Sequence, residues 1–305
     1  MSSPPKQASD RSTVINLLIA LRPNQWTKNL LVFAALLFGQ RLLDLQSVIL
    51  AIKAFIIFCA LSGAVYLIND VTDRGGDRSH PHKSRRPIAA GLISPTLAVG
   101  VAIGLNAVAL GFAFQISPYF GIVGTAYAGL LILYSVLLKH IVVIDVMTIA
   151  TGFVLRAIAG GAAIDVPISA WLLICTSSLA LFLALSKRRQ ELIGLADNAD
   201  EHRPILGEYS PYLLDQMIAV VTASTLITYS FYSISPEVAT RFGTPWLGLT
   251  IPFPLYGIFR YLYLVHQKAA GGSPTELLLS DRPLLACVTL WAITMILIVY
   301  RPITI

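Results

Sequence analysis

A chain of 305 residues that is 56% hydrophobic and only 12% charged, with a mean hydropathy of +0.73, excludes an ordinary soluble domain. The formal charge of +6 suits anionic lipid and nucleic acid equally, so the placement of the cations has to decide between them. Cys59, Cys175 and Cys287 each lie alone in an apolar run, which suggests neither a disulfide framework nor a zinc site.

The polar start Met1-Ser2-Ser3-Pro4-Pro5-Lys6 is unlike a signal peptide, so residues 1–12 read as a tail and the first apolar helix as retained. Nine apolar segments follow, at 27–44, 47–68, 94–116, 118–138, 141–162, 168–186, 211–234, 244–265 and 283–300. Runs near 20 residues cross ~30 Å of hydrocarbon as helices, and no ten-residue alternation of the outer-membrane barrel kind appears. The expected fold is an all-α polytopic membrane protein with nine transmembrane helices, a single domain over 13–305.

Charge placement orients it. With the N-terminus inside, sixteen lysines and arginines fall on interior segments, whereas Arg41, Arg241 and Arg301 alone fall outside. The positive-inside rule therefore predicts a multi-pass protein of the cell (inner) membrane, its N-terminus cytoplasmic and its C-terminus outside. The two longest interior loops, 69–93 and 187–210, follow the second and sixth spans. That four-helix offset reads as a pseudo-duplication whose loops face one another over a central cavity open to the cytoplasm. Nothing marks a nucleic-acid module, and the pattern does not specify an oligomeric state.

The run Arg22-Pro23-Asn24-Gln25-Trp26-Thr27-Lys28-Asn29 is a polar, Pro-interrupted lead into the first span. Trp26 suits an interface anchor, and Lys28 points either to headgroups or into the cavity. If the second span continues helically, Tyr66, Asn69, Asp70, Asp73 and Asp77 share one face at three- and four-residue spacing, and Asp70 and Asp73 reach one hard divalent cation through oxygen. Gly75-Gly76 are expected to end that helix, with Arg74 and Arg78 offsetting part of the acidic charge. A solvated helix end is the plain alternative, and it leaves three like carboxylates repelling one another.

Lys83 and Arg86 beside this cluster suit phosphate; Arg85 serves equally as a topology anchor. His80 and His82 flank Pro81 without further His or Cys and are not assigned a metal. In the fifth span, Asp145 and Arg156 lie eleven residues apart on one stripe with Ile149 and Gly152, facing a polar cavity or forming a buried ion pair with another helix. Gly152 and Gly160-Gly161 suit close helix packing. The sixth span ends Ser186-Lys187-Arg188-Arg189-Gln190-Glu191, where Lys187 or Arg188 can pair with Glu191. That motif is a topology anchor or half of a shared site.

Asn69-Asp70-x-x-Asp73-x-x-x-Asp77, nine spans and a second interior motif after the sixth resemble the UbiA superfamily of intramembrane prenyltransferases over nearly the whole chain. Members with two aspartate-rich motifs use two metal clusters to draw diphosphate from a prenyl diphosphate. Here the second motif is Lys187-Arg188-Arg189-Gln190-Glu191-Leu192, with Asp197 and Asp200 in a looser setting. Further runs are similar to the decaprenyl-phosphate phosphoribosyltransferase branch: Arg22-Pro23-x-Gln25-Trp26-x-Lys28-Asn29, Ala64-Val65-Tyr66-Leu67-x-Asn69-Asp70-Val71, His80-Pro81-x-Lys83-x-x-Arg86-Pro87-Ile88-Ala89-Ala90-Gly91, Leu138-Lys139-His140, Arg156-Ala157-Ile158-Ala159-Gly160-Gly161 and Lys187-Arg188.

The resemblance implies a UbiA-like bundle in which a soluble donor, 5-phosphoribosyl 1-diphosphate, meets a membrane acceptor, polyprenyl phosphate, to make a precursor of cell-envelope arabinan. It implies Mg²⁺ held on the diphosphate by Asp70 and Asp73, supported by Asn69 and Asp77. Asp145 would steady the oxocarbenium ion, and Lys28, Tyr66, Lys83, Arg86, Tyr134, Lys139, Arg156, Lys187, Arg188 and Glu191 would contact substrates. A prenyltransferase with a prenyl diphosphate donor is the second reading. A transporter is the third, and the gathering of polar residues on the interior side disfavours it.

Overall fold

The computed structural model describes residues 12–80, 83–195, 204–267, 277–278 and 280–300. Among them there is no strand, and the order of α-helices is α1 (Thr13–Ala20), α2 (Ala34–Phe38), α3 (Leu45–Thr72), α4 (Arg74–Ser79), α5 (Pro95–Ile116), α6 (Pro118–Val136), α7 (Ile144–Ile164), α8 (Ala170–Leu195), α9 (Pro211–Ile234), α10 (Pro236–Phe242), α11 (Pro252–Gln267) and α12 (Arg282–Val299).

The helix starts are written locally. Ser94-Pro95, Ser117-Pro118 and Ser210-Pro211 each put a serine at the N-cap, where its hydroxyl accepts from the backbone N–H three residues on, and a proline where no N–H is needed. Asp44 and Asp281 cap α3 and α12 in the same way.

Seven of these helices, α3, α5, α6, α7, α8, α9 and α12, are long and apolar enough to cross a membrane. The other two expected spans are interrupted. Residues 27–44 divide between a 3-10 segment, Pro23–Phe33, and the five-residue α2, which stops at Gly39 and Gln40, the latter at φ 55°. Pro23 and the polar run to Asn29 cannot continue a lipid-facing α-helix, and the tighter turn lets Asn29 point inward. Residues 244–265 divide between Trp246–Thr250 and the 16-residue α11, separated at Pro252.

α7 is the hub, packing against α3, α6, α8 and the Pro23–Phe33 segment. One apolar core surrounds Phe58, Phe120 and Tyr127 between α3, α6 and α7; a second surrounds Phe182, Leu214 and Tyr261 between α8, α9 and α11. Large apolar side chains such as Ile103, Val108, Ile122 and Phe231 face outward, as helices in hydrocarbon require. Lipid gives helices little hydrophobic reason to associate, so close approach through small residues matters. A Cβ added at Gly160 would collide with the Val32 carbonyl oxygen, and one at Gly161 would come within 2.5 Å of the Val166 oxygen.

Candidate active site

The helical register breaks at Asp73, two residues before the expected stop. Asp73 is the C-cap of α3 and also precedes α4, so Gly75 and Gly76 sit inside α4 instead of ending a helix. Asp70 lies in the last turn of α3, 1% exposed, and Asp77, 4% exposed, lies on α4. The kink turns both toward Arg86, whose Nη1 stands 3.2 Å from Asp70 Oδ1 and 2.6 Å from Asp77 Oδ2. Arg22 forms a second ion pair with Asp70.

Asp73 turns elsewhere. It accepts from Asn69 Nδ2 at 3.0 Å and pairs with Lys139, while Asp70 and Asp77 share the Arg86 guanidinium. The neutralising charges likewise come from Arg22, Arg86 and Lys139 in place of Arg74 and Arg78; Arg78 instead donates from Nε to the Ala89 carbonyl. The reason is reach, because buried carboxylates need cations that fold over them from other segments.

Tyr66 supports this set, with the Arg22 guanidinium 4.8 Å above its ring. Lys28 is half-buried on the Pro23–Phe33 segment. Lys83 opens a 3-10 turn, Lys83–Arg85, and its backbone N–H donates to His80 Nδ1 at 3.3 Å. His82 lies outside the described residues, as do Asp197 and Asp200. Beside Asp70 opens a cavity of about 560 Å³ whose polar lining is Arg22, Asn24, Gln25, Asp70, Arg85 and Arg86.

The second motif closes on itself. Asp145, in the first turn of α7 and 0% exposed, accepts from Arg188 Nε through Oδ2 at 2.8 Å and from the Tyr209 hydroxyl through Oδ1 at 2.8 Å. Arg188 Nη1 reaches Glu191 Oε2 at 2.5 Å, and Nη2 donates to the Tyr134 hydroxyl at 3.3 Å. Lys187 also approaches Glu191, at 3.7 Å, so both expected partners are present. A carboxylate expected to face the substrate is thus enclosed, with both oxygens engaged.

Tyr209 and Arg22 are the two site residues that spacing does not single out. Tyr209 also accepts the Val143 N–H at 2.8 Å, and Val143 holds φ 68°, an unfavourable angle for a β-branched residue. Burial, and secondarily the bond to Asp145, pushes the Tyr209 hydroxyl up to about 12, so it remains the donor at neutral pH.

Arg156 belongs to a third group. Its Nε donates to Asn29 Oδ1 at 2.8 Å and its Nη2 to the Tyr127 hydroxyl at 2.7 Å, between the rings of Tyr127 and Phe153. Eleven residues of α-helix rise about 16 Å, so Asp145 and Arg156, though both buried, serve different networks. What joins the two motifs is the end of α6 and the turn after it, where Tyr134 touches Arg188 and Lys139 touches Asp73.

The donor set of Asn69, Asp70, Asp73 and Asp77 is oxygen only, which fits Mg²⁺. Arg86 already acts as one positive charge shared by Asp70 and Asp77. Among the described residues, no three carboxylate, histidine or cysteine groups stand together as a metal cluster in this arrangement.

Residues 29–274 match the UbiA prenyltransferase family. The chain belongs to that family. Its UbiA relatives include a decaprenyl-phosphate phosphoribosyltransferase of Corynebacterium glutamicum, 32% identical over 97% of this chain and 89% of that protein. A protein of the same name from Mycolicibacterium smegmatis is 34% identical over 94% of this chain and 93% of its own length. In structure the chain is similar to a UbiA homolog from Archaeoglobus fulgidus bound to DMAPP and Mg²⁺, with a TM-score of 0.72, 20% identity, and coverage of 94% of this chain and 100% of that one. At that identity the likeness establishes a shared UbiA fold.

Proposed function

We propose that this UbiA-family protein transfers the 5-phosphoribosyl group of 5-phosphoribosyl 1-diphosphate to a polyprenyl phosphate such as decaprenyl phosphate, releasing diphosphate. The observation that carries this reading is the inequality of its two centres. The first motif gathers three aspartates, Asp70, Asp73 and Asp77, with Asn69, a donor set for a metal, whereas the second motif offers Lys187, Arg188 and Arg189 with the single carboxylate Glu191, and its Arg188 joins Glu191 to Asp145. One aspartate-rich motif and one lysine- and arginine-rich motif suit a soluble sugar diphosphate and a lipid phosphate better than two metal clusters on one prenyl diphosphate. The names of the two relatives support the same donor class.

In this mechanism Asn69, Asp70, Asp73 and Asp77 would hold Mg²⁺, which would supply positive charge to offset the diphosphate. Arg86 and Lys139 turn to diphosphate oxygens as the bond from the anomeric carbon to oxygen breaks and the leaving group gains negative charge. The lipid phosphate is already an anion, so its oxygen attacks without a general base. Attack opposite the diphosphate converts the α-linked donor to a β-linked product. Lys83 and Lys187 meet substrate phosphates, Tyr66 steadies Arg22 on the donor side, Lys28 and Arg156 line the acceptor side, and Asp145, enclosed by Arg188 and Tyr209, acts by fixing Arg188 against Tyr134 and Glu191.

The reading carries a topology: one catalytic domain over 13–305, nine passes when Pro23–Phe38 and α11 are counted, the site facing the cytoplasm and the N-terminus inside the cell membrane. Membranes carrying the protein, incubated with Mg²⁺, labelled 5-phosphoribosyl 1-diphosphate and polyprenyl phosphate, should yield an acid-labile phosphoribosyl lipid. Failure to form it, with turnover of a prenyl diphosphate instead, would reverse the assignment.

A further inference from the structure

The cavity of about 560 Å³ beside Asp70 is lined by three guanidinium-bearing residues, Arg22, Arg85 and Arg86, against one carboxylate, with the amides of Asn24 and Gln25 completing its polar surface. Arg86 is committed to Asp70 and Asp77, and Arg22 to Asp70. Arg85 is exposed and forms no ion pair among the described residues, so the cavity carries an excess of positive charge.

Two further features mark it as built. Arg22 adopts φ 53°, a left-handed angle that is unfavourable for a non-glycine residue and persists where surrounding contacts fix it. Those contacts are Asp70 and the ring of Tyr66, which together aim the guanidinium at the cavity.

We propose that this cavity is a phosphomonoester subsite and that its occupant is the 5-phosphate of the donor, an assignment that rests on the phosphoribosyl reading above. A phosphomonoester carries roughly −1.5 to −2 charges at pH 7 with oxygens suited to bidentate arginine. The cavity touches Asp70, the carboxylate proposed to face the donor's diphosphate, so one sugar spans from the metal-binding residues to the arginines. Its volume falls in the ordinary range for small-molecule sites of about 300–1,000 Å³. Arg85, which topology alone treats as an anchor, becomes a specificity residue for phosphorylated ribose.

The test uses the full chain in detergent. Ribose 5-phosphate should raise the thermal midpoint of the wild type, ribose should not, and R85Q should lose the shift. Because R85Q breaks no internal ion pair, loss of the shift is not loss of the fold. In turnover, R85Q and R22Q should raise the KM for 5-phosphoribosyl 1-diphosphate about tenfold or more, the loss expected for a charged hydrogen bond, and leave the KM for polyprenyl phosphate unmoved. Equal stabilisation of wild type and R85Q by ribose 5-phosphate, or none of either, overturns the subsite. A rise in the lipid KM instead assigns the cavity to the lipid phosphate and overturns the proposed occupant. If no phosphoribosyl lipid forms while the R85Q-sensitive shift remains, the reaction is wrong and the subsite stands. If the lipid forms and the shift is absent, the reaction stands and the subsite falls.

Discussion

Asp70 and Asp77, seven residues apart on two different helices, meet at a single guanidinium nitrogen, Arg86 Nη1, at 3.2 and 2.6 Å. A cation that holds two buried carboxylates together does the electrostatic work that Mg²⁺ would do between them, so the two should substitute for one another. R86Q should lower the thermal midpoint in chelator, where the carboxylates lose their common partner, and millimolar Mg²⁺ should recover much of the loss. D70N and D73N should each abolish turnover while remaining folded in detergent. An R86Q midpoint indifferent to Mg²⁺, with active D70N and D73N, would remove the metal from this centre.

Y209F removes one hydroxyl and strands two partners. Asp145 Oδ1 loses its donor and the Val143 N–H loses its acceptor, in a site where an unsatisfied buried group costs about 1–3 kcal/mol. The variant should melt several degrees lower and turn over more slowly, with Arg188 less firmly placed. Tyr209→Trp, which fills the space without restoring the oxygen, should not rescue it. Thermal melts and initial rates on the three proteins check this.

Much of this architecture was legible from short-range rules. Seven spans follow from apolar runs near membrane length, and the Ser-Pro starts at 94, 117 and 210 announce their helices in two letters. The interrupted spans were harder, because 27–44 and 244–265 are apolar enough in composition, yet the first passes from a 3-10 segment to a short α-helix at Ala34 and stops at Gly39, and the second divides at Pro252. At the site, the acidic residues were visible and their partners were not. Arg22 meets Asp70 across 48 positions and Tyr209 meets Asp145 across 64, separations about which helical spacing says nothing. The break at Asp73 was hidden for a related reason: two glycines nearby offered a stronger local stop signal than the ion pair to Lys139 that accompanies the actual kink.

Gly160 and Gly152 offer a contrast on one helix. A Cβ at Gly160 runs into the Val32 carbonyl, rigid backbone that cannot yield, whereas one at Gly152 meets Leu131 at 3.5 Å, ordinary contact. G160A should part α7 from the Pro23–Phe33 segment, destabilise by at least about 1–3 kcal/mol, and disturb Arg156, which hydrogen-bonds Asn29 across that seam. G152A should be close to neutral. Fluorescence-detected melts of both variants separate the cases.

Lys187 and Arg188 are neighbours with opposite expectations. The Lys187 side chain is 43% exposed and approaches Glu191 at 3.7 Å, a partly solvated pair worth no more than about 1 kcal/mol. Arg188 is 3% exposed and holds Asp145 and Glu191 at once. R188A leaves Asp145 buried without its cation, a loss of roughly 3–5 kcal/mol, and should yield little folded protein. K187A should fold like the wild type, so any change in its kinetics reports on substrate. A rise in KM for the donor alone would place Lys187 against the sugar diphosphate, a rise for the lipid alone would place it against the acceptor phosphate, and unchanged constants would make it a topology anchor with no part in the site.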